Sequence, residues 1–178
     1  MEEKKDQIEE IEIDGREMLR QYDGLSLKFD AKHLIAFDTK SMEDNRFIVD
    51  LIGVKDEQGR QLCFMVDTGS VVDFIFTPAI KYLETKLLES YTDLTVQTFD
   101  GTDDNEPKGL YEVEFMLNNS ITYKRKAVSI NKQIEPIGEN RAYIGLLSFD
   151  FLVANELVIF PQWGFMTQLL QDEEEPEK

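Results

Sequence analysis

A chain of 178 residues with 42% hydrophobic content suits one domain with a core of its own. Its formal net charge of -17 opposes phosphate backbones and anionic membrane surfaces, so neither nucleic acid nor membrane is expected as a partner. A single cysteine, Cys63, excludes an internal disulfide framework and a cysteine-based zinc cluster, and a single histidine, His33, excludes arrangements that need several.

Residues 1–24 read as a charged extension. Within it Ile8, Ile11, Met18 and Leu19 outline a weak helical face, interrupted by Gly15. It lacks the apolar core of a signal peptide. No stretch of the chain reaches the roughly 18 apolar residues of a membrane span, so a soluble, cytoplasmic protein is expected. The folded domain is expected over residues 25–170, followed by an acidic, disordered tail at 171–178.

"LSLKF" (25–29) alternates as a short strand. "RFIVDLIGV" (46–54) and "QLCFMVD" (61–67) flank the turn residues "DEQGR" and predict a hairpin. "TPAIKYLETKLLES" (77–90) predicts a helix, with Thr77 as N-cap, Pro78 in the first turn, and Ile80, Leu83, Leu87 and Leu88 on one face. "DLTVQTF" (93–99) predicts a strand and "DGTDDNEPKG" (100–109) a polar loop. "LYEVEFML" (110–117) and "ITYKRKAVSI" (121–130) alternate on either side of "NNS". "YIGLLSFDFL" (143–152) is nearly all apolar, and "ELVIF" (156–160) and "WGFMTQLL" (163–170) close the domain. Many short strands with one clear helix predict an all-β fold: a closed, barrel-like domain with one or two short helices.

Asp67 stands at the end of an apolar strand. An ionised carboxylate there is costly unless paired or hydrogen-bonded, so Asp67 is either a satisfied structural group or one held for chemistry. Gly69 permits a tight turn. The turn N–H groups and the Ser70 hydroxyl can bond the carboxylate, and Thr68 offers a second hydroxyl. Cys63, inside its apolar run, reads as a small buried hydrophobe rather than a nucleophile paired with His33, and His33 is given no special role. Asp38 and Asp73 read as turn or surface groups. Trp163, Phe165 and Met166 read as core or interface. The loop "DGTDDNE" lacks the ligand spacing of an EF-hand, so no metal site is assigned.

"FMVDTGSVVDFIFTPAIKYL" (64–83) resembles the active-site segment of retropepsin-like aspartic proteases. Those carry an apolar strand, Asp-Thr/Ser-Gly-Ala/Ser, then an apolar pair leading to a Ser/Thr-Pro helix start. "YIGLLSFDFLVANELVIF" (143–160) resembles the family's second element, commonly Gly-Ile-Leu-Gly-x-Asp-Phe-Leu followed by a strand. Gly145, Leu146, Leu147, Asp150, Phe151 and Leu152 match without a gap, whereas Ser148 replaces the second glycine. The strand after it ends "VIFP" where many relatives carry an acidic residue. The resemblance covers residues 46–160.

The resemblance implies a single-lobed aspartic endopeptidase with an acid-protease lobe and no cofactor, active as a homodimer on peptide or protein substrates. Each copy would give one Asp67 across a two-fold axis. Like charges that close cannot both ionise, so the pair would share a proton, one carboxylate activating water and the other polarising the scissile carbonyl. Thr68, Gly69, Ser70, Gly145, Leu147 and Ser148 would support the site. Phe99, Asp100, Gly101 and Thr102 would begin a flap reaching Gly109, its acidity favouring basic or neutral peptides. Residues 25–29 and 163–170 would be exposed edges forming the dimer sheet. Ser148 and the acidic loop motivate an alternative, a catalytically inactive retropepsin-fold module for dimerisation or peptide binding. A third reading is a monomer whose partner brings the second aspartate.

Overall fold

The computed structural model describes residues 17–22, 25–38, 46–91 and 107–169. The chain begins with an antiparallel pair, β1 (Glu17–Tyr22) and β2 (Leu25–Asp30). Met18 and Leu19 therefore lie on a strand and not on the expected helical face, while Ile8, Ile11 and Gly15 lie outside the described residues. A 3-10 turn (Ala31–His33) leads to β3 (Ile35–Ala36).

The predicted hairpin forms as β4 (Phe47–Lys55) and β5 (Gln61–Asp67), paired antiparallel. Its turn is tied by Asp56, whose carboxylate accepts hydrogen bonds from the Gln58 and Arg60 N–H groups and from Arg60 Nε. β6 (Asp73–Phe76) follows, then a 3-10 turn (Thr77–Tyr82), β7 (Glu84–Ser90), β8 (Pro107–Met116) and β9 (Thr122–Ile130). β10 (Glu135–Ile137) and β11 (Arg141–Ser148) come next. The helix α1 (Phe149–Ala154), β12 (Leu157–Phe160), a 3-10 turn (Pro161–Trp163) and β13 (Phe165–Gln168) complete the order.

The helix expected over residues 77–90 is replaced by one 3-10 turn and a strand. Thr77 does not cap it; its hydroxyl donates to the Ile130 carbonyl at 2.9 Å and pins the turn to the end of β9. β7 then pairs antiparallel with β8, leaving Leu87 and Leu88 exposed. The sheet edge offered by β8 overrides the local helical pattern. The loop expected over residues 100–109 also ends early, because β8 begins at Pro107. The expected strand at 93–99 lies outside the described residues.

The large mixed sheet runs β4-β5-β11-β6-β9-β8-β7, with β10 beside β11. A second sheet runs β12-β13-β3. The fold is thus mostly β, as predicted, but among the described residues no sheet closes into a barrel. β4 and β7 remain the ends of the strand order, and the curl of the sheet brings only an isolated bridge between Leu51 of β4 and Leu117 just after β8. The main core lies against this sheet and includes Val49, Leu62, Phe64, Ile75, Phe76, Ile144, Leu147 and Phe151, all buried. A smaller aromatic cluster joins the second sheet to β2: Phe29 meets Phe160 edge-on at 4.8 Å, and Phe160 stacks on Trp163 at 5.1 Å.

The sequence predicts an exposed edge at residues 163–170, where the structure has β13. This strand is instead the centre of its sheet, paired with β12 on one side and β3 on the other. Phe165 and Met166 are paired on both sides, by β12 and by β3, so this stretch is not the exposed edge expected for the dimer sheet, and Leu170 lies outside the described residues. Residues 25–29 belong to β2, which pairs with β1, and Phe29 also bridges to Leu169.

Candidate active site

Strand pairing brings the two sequence elements together. β11 runs parallel to β5, with Leu147 opposite Val66 and Ser148 opposite Asp67, so both strands end at the same level. On its other side β11 runs antiparallel to β6, with Gly145 opposite Ile75. A Cβ at Gly145 would stand 2.1 Å from the Phe74 carbonyl oxygen and 3.1 Å from Ile75 Cα. Only glycine lets these backbones approach so closely. Leu147 is buried in the core below. Asp67, Thr68, Gly69, Ser70, Gly145, Leu147 and Ser148 therefore gather at one end of the sheet. Phe99, Asp100, Gly101 and Thr102 lie outside the described residues.

The turn after β5 is tight. Gly69 N–H donates to Asp67 Oδ1 at 2.9 Å, and Ser70 N–H donates to the Asp67 carbonyl at 3.2 Å. The Ser70 hydroxyl does not serve the carboxylate, as its residue type suggested; it donates to the Val72 carbonyl at 2.7 Å. Phe149 N–H donates to the Ser70 carbonyl at 2.9 Å, so the start of α1 grips the middle of the turn. Asp67 is half-buried, and Thr68 and Gly69 are exposed. Among the described residues no lysine or arginine pairs with Asp67. Around the turn stand exposed apolar side chains: Val71 at 79%, Val72 at 41%, and Phe149 and Val153 at 52% and 58%.

Below the turn lies an ionic cluster. Asp73 is 3% exposed, which corrects its reading as a turn or surface group. Its Oδ1 accepts hydrogen bonds from Ser148 N–H and from the Ser148 hydroxyl, both at 2.7 Å. Its Oδ2 accepts from Arg125 Nε at 2.7 Å, and a second guanidinium nitrogen of Arg125 reaches Asp150 Oδ2 at 2.6 Å. Ser148 has φ -81° and ψ 176°, an extended conformation open to any residue. The serine, where the resembling family carries a glycine, is thus accommodated by the backbone and engaged by its hydroxyl. Asp38 is likewise no free surface group, since it pairs with Arg141 at 3.0 Å.

Burial pushes the Cys63 thiol up to about 12, and Asp50 nearby adds to the effect. The thiol is wholly buried and faces the Ala142 carbonyl at 3.3 Å. His33 is held by Asp30 at 2.6 Å. The two form no nucleophile–base pair. Burial also raises the Tyr143 phenol, helped by the negative charges of Glu135 and Asp67. Among the described residues no group of three or more histidine, cysteine or acidic side chains is arranged to hold a metal ion. None of the described helices is long and apolar enough to cross a membrane.

Arg125 escaped sequence reasoning, although a signal was present. On the alternating β9 it shares parity with buried Tyr123 and Ala127. A cation at a core-facing position demands a buried acid. Compared with protein-family models and with curated proteins, the chain matches none.

Proposed function

We propose that this chain is a retropepsin-like aspartic endopeptidase acting as a homodimer, each copy contributing Asp67. One observation carries the reading. Asp67 sits on a rigid turn at the end of β5, receives a hydrogen bond from Gly69 N–H, and has no cationic partner among the described residues. A carboxylate fixed but left open in this way suits a second acid across a two-fold axis. The pair would hold one proton; the ionised carboxylate would take a proton from water as it attacks, while the protonated one bonds the scissile carbonyl.

The exposed rim of Val71, Val72, Phe149 and Val153 supports this arrangement. A two-fold that apposes two Asp67 turns would cover apolar surface of both copies. With β13 paired on both sides, self-association would use this rim rather than the terminal strands. Asp67→Asn is expected to abolish cleavage of peptide substrates while leaving mass and folding unchanged. Cleavage retained by that variant would sink the assignment.

Ser148 favours a second reading, an inactive dimerisation or peptide-binding module of the same fold, because its hydroxyl occupies a position that the resembling family leaves empty. A pepstatin-type transition-state analogue separates the two: a competent pair of aspartates binds it, and a degraded site does not.

A further inference from the structure

The turn that carries Asp67 is held at two points beyond its own hydrogen bonds. At its middle, the Ser70 carbonyl accepts from Phe149 N–H. At its far end, the Asp73 carboxylate accepts from Ser148 and Arg125. Arg125 also reaches Asp150, in the first turn of α1, beside the residue that grips Ser70. One guanidinium therefore ties together the two segments that fix the turn.

We propose that Arg125 is a positioning residue for Asp67, locking the turn of residues 67–73 and the start of α1 into one rigid unit. Its own geometry favours this. The planar fork of arginine can hold two carboxylates in fixed directions; the point charge of lysine cannot. Arg125 comes from β9, a strand that pairs along β6 and β8, so the turn is anchored to the sheet as well as to the helix. Its guanidinium also lies 5.7 Å from the Phe151 ring, which restricts it further. Stability alone is a poor reason for such a cluster, because buried ion pairs exchange for apolar residues at little or no cost. Fixing a direction is what it does that an apolar contact cannot.

The structural claim stands on these contacts, and its catalytic consequence rests on the protease reading above. The test is amide hydrogen exchange in the full chain, comparing wild type with Arg125→Lys and Asp150→Asn. Arg125→Lys is expected to speed exchange at Ser70 and Phe149 by about tenfold more than at Val49 and Leu62, buried in β4 and β5 away from Arg125, as loss of a charge-assisted hydrogen bond predicts. Asp150→Asn should show the same local pattern more weakly, because Asp150 is exposed. It also carries the test should Arg125→Lys fail to fold. Uniform acceleration at all four amides, or none, would overturn the proposal. In an active wild type, Arg125→Lys should lower kcat with KM unchanged. A wild type without turnover would remove the protease reading while the exchange result still decides the clamp. Turnover with unchanged local exchange would remove the clamp alone.

Discussion

Replacing Ser148 by the glycine found in the resembling family should weaken the protein. The Ser148 hydroxyl donates to Asp73 Oδ1 at 2.7 Å, and both residues are buried. A hydrogen bond to a charged partner contributes about 1.5–3 kcal/mol. Glycine adds about 0.5–1 kcal/mol of backbone entropy to the unfolded chain. No strain is relieved in return, since Ser148 already has ordinary extended angles. The sum is a loss of about 2–4 kcal/mol for Ser148→Gly, a large share of the roughly 5–15 kcal/mol that holds a typical domain. Ser148→Ala isolates the hydroxyl and should lose about 1.5–3 kcal/mol. Urea denaturation followed by far-UV circular dichroism reads both, with the slope unchanged and only the midpoint lowered. A Ser148→Gly variant as stable as wild type would refute the reasoning. A Ser148→Gly variant that gains protease activity would show that the hydroxyl blocks chemistry rather than bracing the turn.

Gly145→Ala should be worse tolerated than any neighbouring apolar change. Its new methyl group would meet the Phe74 carbonyl at 2.1 Å, so β6 must leave β11, at a cost of about 1–3 kcal/mol or more. A urea midpoint indistinguishable from wild type would contradict that contact. Asp56 should give the hairpin of β4 and β5 an acid-sensitive component. Burial pushes its carboxyl up, but bonds from the Arg60 N–H and guanidinium and from Gln58 outweigh it and hold it below its ordinary value of 3.8. A depressed carboxyl stabilises the fold above the ordinary value and loses that contribution as pH falls through the folded one. Wild type should therefore lose stability more steeply than Asp56→Asn in this acid range; parallel pH profiles would rule this out.

Different parts of this molecule were legible for different physical reasons. The hairpin of β4 and β5 could be read because alternation, β-branching and a Gly-containing turn all agree within a few residues. The meeting of Asp67 with Gly145 and Leu147 could be read only through resemblance, because parallel pairing of β5 with β11 joins segments about 80 residues apart and leaves no local trace. Residues 77–90 misled because Ile80, Leu83, Leu87 and Leu88 fit a helical face, and nothing nearby reveals the open edge of β8 that captures them. β13 misled because proximity to a terminus suggests an edge, whereas its partner β3 lies far upstream. Failure of the large sheet to close depends on the pairing of its end strands, which periodicity does not encode.

The most direct test of the Asp67 pair is the molar mass of the chain in solution, by sedimentation equilibrium at neutral and mildly acidic pH. A charge of -17 per copy opposes association at neutral pH, and protonating carboxylates relieves it. The account predicts a species of twice the single-chain mass, populated more strongly in acid. A monomer at every pH and concentration would contradict it, because Asp67 would then never meet a second Asp67.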